Sequence, residues 1–354
     1  MDRQSCGQTR LGHVCAHVVV GGELSDTTGS QLRVVSLTPG DAEDCARLDW
    51  AAYAHLRHIW DPDAPAEQSK ESLAESTAHI RDNLGKVSRA WGHRRLHDGK
   101  LVSCVHFYHA LPSGHGTGHG RVAGMLVDPE HRRQGLARRL MDVLLPEAPG
   151  VTISLLSTKM GRDLYAGLGF HWLDSYANFF SPRAEELGKT AAAADIKSSW
   201  PGLTPAEAAK LARAAGGVAS VTYSPGPEVI AEIVALDSEM FGGDRSDLLQ
   251  SSFARAKAGI LVVLRETAGR KQGQVIGFGF SADAGRWGRS LAPLVASSTD
   301  SALAIVGALA ALESVQHSGL RMTLRLNQTL FVERLREMGF EETAPDSPMP
   351  GNST

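Results

Sequence analysis

The chain has 354 residues, of which 42% are hydrophobic and 21% charged, a composition typical of globular domains. At about 150 residues per domain, this length predicts two domains. A net charge of −3 gives no broad positive surface for a nucleic acid or an anionic membrane, and the absence of a long apolar run predicts no membrane-spanning helix.

Residues 1–31 are predicted to form a disordered extension. A weakly apolar run at 11–20 follows two arginines, but two histidines interrupt it, which argues against a secretory signal peptide. Residues 21–31 are turn formers and polar residues typical of a linker. The four cysteines form no Cys-x-x-Cys pair and indicate reduced thiols, so a cytoplasmic protein is expected, with a mitochondrial presequence as the alternative.

Apolar periodicity and turn signals predict alternating strands and helices across a first domain at residues 32–183. The predicted elements are, in order, a strand at 32–37, helices at 42–56 and 66–84, a hairpin turn at Asp98-Gly99, strands at 101–111 and 122–127, a helix from Leu136, a strand at 151–156, a helix ending before Gly169 and a strand at 171–180. We expect this last strand to complete the first domain.

The rest of the chain predicts a connector, a second domain and a tail. Residues 184–217 are rich in Ala, Lys and Glu and predict a partly helical connector. A second pattern of helices and strands occupies residues 218–343. Residues 344–354 contain three prolines and predict a loose tail.

The two halves share an internal similarity. Ile153–Phe170 and Thr323–Phe340 align without gaps at an offset of 170 in the numbering, and each predicts a strand, a helix and then Gly-Phe. At the same offset, Met125–Val127 falls on Val295–Ser297, at the end of another apolar run. Two matches at one offset indicate a duplicated domain.

The segment 127–140 carries the strongest chemical signal. A buried strand is followed by a turn at Pro129 and by a helix start that contains Gly135 and Ala137. The first N–H groups of a helix lack partners and, with the helix dipole, bind anions. Small side chains leave that backbone open, and three arginines add positive charge: Arg132, Arg133 and Arg138. The segment predicts a phosphate site, with a solvated basic helix face as the alternative; no P-loop motif is present.

The same segment resembles a known family. His131–Leu140, HRRQGLARRL, is similar to the R/Q-x-x-G-x-G/A signature of the GNAT acetyltransferase superfamily. The resemblance implies that the N–H groups from Arg133 to Arg138 hold the pyrophosphate of acetyl-CoA, and that the strand end pairs with its pantetheine arm. The cofactor-binding residues expected on this basis are Leu126, Val127, Arg132, Arg133, Gln134, Gly135, Leu136, Ala137 and Arg138.

A second motif lies downstream, beyond the next predicted strand. Leu164–Phe170 matches the tyrosine followed by Gly-Phe that the superfamily carries on a helix. The resemblance implies that Tyr165 is the general acid that protonates the leaving CoA thiolate; a packing role is the alternative. It also implies an α/β (α+β) fold of two GNAT-like domains, each a mixed, mostly antiparallel twisted sheet flanked by helices.

The general base is not identified by the sequence. Many relatives place a glutamate on or near the strand before the signature, but Gly120–Val127 contains no carboxylate. The candidates by intrinsic pKa are His106, His109, His115 and His119, and ordered water is an alternative. These histidines lack a paired Cys or carboxylate at ligand spacing, so no metal site is predicted.

The second domain resembles the C-terminal domain of tandem GNAT proteins but lacks the chemistry of the first. At the offset of 170, Arg132 falls on Ala302, Gly135 on Ile305 and Tyr165 on Leu335. We therefore expect a degenerate domain that does not bind CoA. It either closes an acceptor pocket or only packs, and the candidate lining residues are Asp244, Arg245 and Trp287.

The sequence thus predicts an N-acetyltransferase that moves an acetyl group from acetyl-CoA to a small-molecule amine in a ternary complex, without a metal. Two other functions stay open at this stage. One is a peptide or protein N-acetyltransferase, and the other is a non-catalytic acyl-CoA-binding sensor or scaffold. Neither a nucleic acid nor a membrane is expected as a partner, and the sequence does not predict the oligomeric state.

Overall fold

The computed structural model describes residues 31–54, 65–86, 88–112, 118–181, 204–255, 259–269, 272–283, 288–312, 315 and 319–343. The predicted N-terminal extension (apart from residue 31), the predicted tail and residues 184–203 of the connector lie outside this part of the chain. Within it, no helix is long and apolar enough to cross a membrane.

The strands are numbered in chain order. They are β1 (Leu32–Leu37), β2 (Ser88–Arg95), β3 (Leu101–Pro112), β4 (His119–Val127), β5 (Thr152–Leu155), β6 (Tyr176–Phe180), β7 (Gly217–Thr222), β8 (Gly243–Asp244), β9 (Ile260–Glu266), β10 (Val275–Asp283), β11 (Arg289–Ala296), β12 (Leu320–Arg325) and β13 (Glu341–Thr343).

The α-helices are numbered in the same way. They are α1 (Ala42–Ala52), α2 (Lys70–Asn83), α3 (Leu136–Leu144), α4 (Arg162–Ala166), α5 (Pro205–Ala214), α6 (Pro227–Phe241), α7 (Ser246–Arg255), α8 (Thr299–Ala310) and α9 (Thr329–Glu337). The chain divides into two compact units, here called the N-terminal unit (within residues 13–173 and 242–251) and the C-terminal unit (within 174–241 and 252–354).

The N-terminal unit is built on a sheet in the order β1-β2-β3-β4-β5. Its neighbouring strands are antiparallel except for the parallel pair β4 and β5. Side chains of β3 alternate between two cores, because successive residues of a strand point to opposite faces. Cys104 packs with residues of α1, and Val105 packs with residues of α3. The mixed, mostly antiparallel sheet flanked by helices is the predicted fold class.

The helix after β4 has the predicted apolar face. Leu136, Leu140, Met141 and Leu144 are all buried, at a spacing that places them on one side of α3. The exposed side carries arginines instead. Burial of this face fixes the start of α3 against the sheet, next to the end of β4.

The β2–β3 hairpin turn is longer than predicted. Five residues, Leu96 to Lys100, connect the strands instead of two. Gly99 has φ +74°, and the Asp98 carboxylate accepts a hydrogen bond from the Lys100 N–H (3.0 Å). The Asp-Gly signal therefore locates the turn correctly, but the local side-chain hydrogen bond closes a wider loop.

Two strands belong to a different unit from the one that the sequence predicted. The strand predicted at 171–180 forms as β6, but it lies between β12 and β13 in the C-terminal unit. Its Ala177 and Phe179 are buried in the core of that unit. In the other direction, β8 comes from the predicted second domain and pairs with the end of β3 in the N-terminal unit. The expectation that the strand at 171–180 completes the first domain is thus wrong, because a strand pattern specifies a buried face and not a partner strand.

The C-terminal unit contains a sheet in the order β13-β6-β12-β11-β10-β9-β7, in which only β11 and β12 pair in parallel. Helix α8 packs against α5, and ten of its residues, Ser301 to Ala310, are buried. The connector thus contributes a helix, α5. A capping box formed by Thr204 and Glu207 stabilises the start of this helix.

The predicted duplication is present in the structure. At the offset of 170, β4 falls on β11, and β5 falls within β12. Gly169 and Gly339 have φ values of +84° and +83°. The hydrogen bond from the Phe170 N–H to the Tyr165 carbonyl (3.0 Å) recurs between Phe340 and Leu335 (2.9 Å). The two units are therefore built on one repeated plan.

Candidate active site

One edge of β4 is open over its last five residues. The parallel pairing with β5 covers only His119–Val122, because β5 ends at Leu155. Among the described residues, no strand pairs with 123–127 on that edge, whereas β3 pairs with the other edge. A bulge interrupts the β3–β4 register at this point, where Gly124 has φ +58°. The predicted residues Leu126 and Val127 both lie on this open edge.

The segment from β4 to α3 presents a row of backbone N–H groups; we call residues 132–138 the amide loop. The Arg139 N–H donates to the Gly135 carbonyl (3.1 Å) and is the first of α3 with an acceptor inside the helix. The N–H groups of Leu136, Ala137 and Arg138 therefore have none. Those of Arg133, Gln134 and Gly135 also have no backbone acceptor within the described stretch 118–181.

The backbone of the amide loop is shaped for an anion. Arg133 and Gly135 have φ values of +62° and +77°. A left-handed residue next to a right-handed one, as Gly135 is next to Leu136 of α3, turns successive N–H groups to one side. The left-handed conformation at Arg133 costs about 1 kcal/mol, and strain of this kind is concentrated at functional sites. A Cβ on Gly135 would meet no atom within 4 Å, so the space beside it is open.

The three arginines of the amide loop have different surroundings. Arg133 and Arg138 are exposed, and Arg138 Nη1 lies beside Gly167 at the end of α4. Arg132 instead donates from Nη2 to the carbonyl of Ala52 (2.6 Å) and from Nε to that of Val127 (3.4 Å). Its guanidinium therefore ties the last turn of α1 to the end of β4, and the positive charge facing the open loop comes from Arg133 and Arg138.

Asp128 holds the turn between β4 and the amide loop. Its side chain is buried, and it accepts hydrogen bonds from Lys100 Nζ (2.9 Å) and from the Glu130 N–H (3.0 Å). Burial opposes its ionisation, but these hydrogen bonds, together with His131, hold the pKa of Asp128 below its ordinary value. The turn is thus fixed by a buried, charged carboxylate.

Replacing Asp128 with asparagine is expected to lower the free energy of unfolding by about 1–3 kcal/mol, because a charged hydrogen-bond acceptor is lost from a buried position. Urea unfolding at pH 7 measures the loss, and Asp142→Asn in α3 is the matched control. The lowered pKa means that the charge stabilises the fold above the ordinary carboxyl pKa of about 4 and that this contribution falls as the pH drops below it. If the difference in free energy of unfolding between the wild type and Asp128→Asn is the same at pH 2 as at pH 7, the charge of Asp128 is not what stabilises the fold.

Tyr165 is a core residue that also carries a protonated hydroxyl. It is 8% exposed, and its ring packs edge-on against Phe170 with centroids 5.8 Å apart. A Cβ on Gly161 would lie 2.9 Å from the ring, so glycine is required beside it. Burial and the neighbouring Tyr53 raise the pKa of Tyr165 to about 12. Both roles expected from the sequence, packing and proton donation, are compatible with this environment.

The candidate general bases are spread along β3 and β4. His119 begins β4, and His109 pairs with Gly120 at the same end, roughly 25 Å from Val127 at the rise of a strand. His106 is buried and pairs with Ala123, next to the bulge. His115 lies outside the described residues. Of the candidate bases that the structure describes, His106 is thus the one whose strand position is nearest the open part of β4.

Two cysteines accompany His106 in a way that the sequence did not reveal. Cys45 of α1 and Cys104 of β3 are both buried. The Cys104 thiol and His106 lower the pKa of Cys45 to about 6, whereas Cys45 and burial raise that of Cys104. Cys45 and Cys104 are far apart in the sequence, so no spacing rule could have joined them.

Comparison with known proteins identifies the family. A model of the acetyltransferase (GNAT) family matches residues 53–170, and a model of an acetyltransferase (GNAT) domain matches residues 233–353. Both halves of the chain are GNAT domains. A protein named as an uncharacterized N-acetyltransferase, YitH of Bacillus subtilis, is 27% identical over 264 residues, which are 73% of this chain and 77% of YitH. The chain is therefore an acyltransferase of the GNAT type.

Solved structures share the fold. A putative acetyltransferase from Pyrococcus horikoshii superposes with a TM-score of 0.58 at 14% identity, covering 91% of this chain and 90% of that one. A tandem GNAT protein from the clavulanic acid biosynthesis pathway gives 0.50 at 17% identity, covering 88% and 95%. The tandem arrangement predicted from the sequence is thus confirmed.

The second GNAT domain lacks an amide loop. Helix α8 begins at Thr299, the counterpart of Pro129, whereas α3 begins only at Leu136. The counterparts of Arg133–Arg138 are therefore Leu303–Ala308, inside a buried helix. The start of α8 is also capped, since the Ser301 N–H donates to the Ser298 hydroxyl (3.1 Å). An extended helix thus removes the open N–H groups that an anion needs.

The residues predicted to line an acceptor pocket have other surroundings where they are described. Asp244 lies in β8 and pairs with Leu111, and its carboxylate accepts from the Ser246 N–H (2.8 Å) at the start of α7. Arg245 is half-buried, and Trp287 lies outside the described residues. The Asp244 carboxylate therefore makes a local turn immediately before α7.

Proposed function

We propose that the first GNAT domain transfers an acetyl group from acetyl-CoA to a primary amine of a small molecule, by direct attack in a ternary complex. The observation that carries this proposal is the amide loop next to the open edge of β4. The loop offers N–H groups without backbone acceptors beside two exposed arginines, Arg133 and Arg138. A pyrophosphate requires this combination of open backbone and positive charge.

The chain's own groups fit the other parts of acetyl-CoA. The pantetheine arm carries amides, which can pair with the open backbone edge at 123–127 as an added strand would. When bound, acetyl-CoA supplies the thioester carbonyl that the acceptor amine attacks. We assign the backbone N–H groups near Val127 the role of donating hydrogen bonds to the carbonyl oxygen of the thioester, on which negative charge develops.

Tyr165 is the residue that we assign to the leaving thiolate. With a pKa of about 12, its hydroxyl is protonated at neutral pH and donates a hydrogen bond to the developing negative charge. A thiol has a pKa of about 8.5, well below that of Tyr165, so complete transfer of the proton from Tyr165 to the thiolate is thermodynamically unfavourable. The hydrogen bond is therefore the larger contribution, and solvent supplies the final proton.

The acceptor is proposed to be small because Tyr165 is 8% exposed. A small amine can approach a thioester beside a buried hydroxyl more readily than the surface of a folded protein can. The net charge of −3 gives no support for a nucleic acid or an anionic membrane as a partner.

The proposed function is tested with the purified full chain, acetyl-CoA and a panel of polyamines, arylalkylamines, amino sugars and amino acids, set against peptides with free amino groups. Release of the CoA thiol is measured together with the mass of the acetylated product. We expect at least one small amine to gain one acetyl group, with intersecting initial-rate plots as in a ternary complex. Acetylation confined to peptides would overturn the acceptor class, and parallel rate plots would overturn direct transfer.

A further inference from the structure

Three soft donor groups meet on the α1 side of the N-terminal sheet. Cys45 Sγ, Cys104 Sγ and one ring nitrogen of His106 all lie within 4.8 Å of one another. Cys104 and His106 are two residues apart on β3 and so point to the same face, on which α1 places Cys45. The exposures are 0% for both cysteines and 8% for His106. We call these residues the Cys-Cys-His cluster.

Within the Cys-Cys-His cluster, Cys45 makes side-chain hydrogen bonds with Cys104 and with His106, and one nitrogen of the cluster is left over. His106 Nδ1 is buried and has no hydrogen-bond partner among the described residues. The Cys104 thiol makes a long contact of 3.8 Å to the carbonyl of Gly124. Buried polar nitrogens are nearly always paired, so the unpartnered Nδ1 shows that the His106 ring can take a further partner.

We propose that Cys45, Cys104 and His106 form a binding site for a soft metal cation, with Zn²⁺ as the cation that fits best. Thiolate and imidazole are the ligands that Zn²⁺ prefers, whereas Ca²⁺ and Mg²⁺ require oxygen ligands. Three protein ligands leave one of the four zinc positions for a water molecule.

Charge supports Zn²⁺ at this position. Two thiolates, a neutral imidazole and a divalent cation sum to zero, so the occupied site brings no net charge into the surrounding core. That core is apolar and includes Leu48, Ala52 and Leu126. No cationic side chain is needed for compensation.

The position of the cluster gives the metal a structural consequence. The ligands come from α1 and β3, and the ring of His106 lies under the bulge of β4, where its Cδ2 is 3.0 Å from the position of a Cβ on Gly124. A bound cation would therefore crosslink α1 to the sheet where the open edge of β4 begins. This inference rests on the cluster alone and stands independently of acetyl transfer.

The test uses the full chain, stripped of metal under reducing conditions and titrated with Zn²⁺ or with Co²⁺ as a spectroscopic probe. We expect one metal per chain by elemental analysis, a thiolate-to-cobalt charge-transfer band, and a higher Tm with Zn²⁺. Cys45→Ser and Cys104→Ser are each expected to weaken Zn²⁺ binding at least about tenfold. Cys6→Ser is the matched control and is expected to bind Zn²⁺ as the wild type does.

Two results would overturn the proposal. One is a wild-type chain without a thiolate-to-cobalt band at saturating Co²⁺. The other is Zn²⁺ binding that survives both serine substitutions in the cluster or that is lost in Cys6→Ser. Because a serine variant could fail to fold, a second measurement uses the wild type in partly denaturing urea, where the two buried thiols react when the chain opens. Zn²⁺ is expected to slow the reaction of two thiols with a thiol reagent under these conditions, and an unchanged rate contradicts the site.

Discussion

Gly135→Glu is expected to weaken acetyl-CoA binding by at least about a hundredfold, which corresponds to about 2.8 kcal/mol. The new carboxylate would enter the open space beside Gly135 and occupy the position proposed for the pyrophosphate. Two like charges about 4 Å apart repel by about 4 kcal/mol at an effective dielectric constant of 20, which is enough for this loss. Calorimetric titration of acetyl-CoA into both proteins measures it.

The matched control for this substitution is Gly150→Glu. Gly150 has φ +69°, is exposed and also has open space beside it, but it lies in the loop before β5 and not at the amide loop. Both glutamates carry the same backbone strain, of about 1 kcal/mol, so both variants should lose similar stability. Only Gly135→Glu is expected to lose acetyl-CoA; equal losses of binding in the two variants would contradict a site at the amide loop.

Tyr165→Phe is expected to lower kcat by about a hundredfold, with KM for acetyl-CoA changed by less than about threefold. Phenylalanine keeps the edge-on packing against Phe170, so the variant removes only the hydroxyl. Tyr176→Phe in β6 is the matched control, because its hydroxyl accepts from Arg325 in the C-terminal unit. A Tyr165→Phe variant with full kcat would leave Tyr165 as a packing residue only.

The pH profile gives an independent check on Tyr165. Because its pKa is raised to about 12, the hydroxyl stays protonated throughout the range in which the enzyme can be assayed. Any decline of kcat on the alkaline side below about pH 10 must come from another group and is expected to persist in Tyr165→Phe. A decline near pH 9 to 10 that disappears in Tyr165→Phe would show that the pKa of Tyr165 is not raised.

The sequence predicted those features that depend on local pattern. The turn at Pro129, the small residues Gly135 and Ala137 and the apolar face of α3 are all encoded in one short, continuous segment. In the structure this segment forms the amide loop and the elements on either side of it. Tyr165 was likewise located by a short motif. The duplication was visible because the repeated segments contain no insertion between strand, helix and Gly-Phe.

Apart from the width of the β2–β3 turn, the features that the sequence did not predict depend on distant partners. The residues around Arg132 in the sequence predict that it binds phosphate. In the structure, its guanidinium donates a hydrogen bond to the carbonyl of Ala52, which is remote in the sequence. The strand pattern of β6 is correct, although its partner strands, β12 and β13, lie near the other end of the chain. The Cys-Cys-His cluster needs α1 to lie against β3. In each case, tertiary packing selects among partners that local sequence leaves equivalent.

The loss of the site in the second GNAT domain shows how much the backbone contributes. Alignment of the two halves at the offset of 170 shows that Arg132, Gly135 and Tyr165 are replaced in the second domain. It does not show that the second domain has no counterpart of the amide loop. In the structure, α8 starts about two turns earlier than α3, so the N–H groups equivalent to the amide loop are used within the helix. Restoring arginines in α8 would therefore not restore an anion site.

The central claim, one CoA site per chain in the first GNAT domain, is tested most directly by counting bound CoA. Equilibrium dialysis of the full chain against labelled acetyl-CoA gives the number of sites at saturation. We expect one site for the wild type and none for Gly135→Glu. Two sites in the wild type, or one site that survives Gly135→Glu, would contradict it.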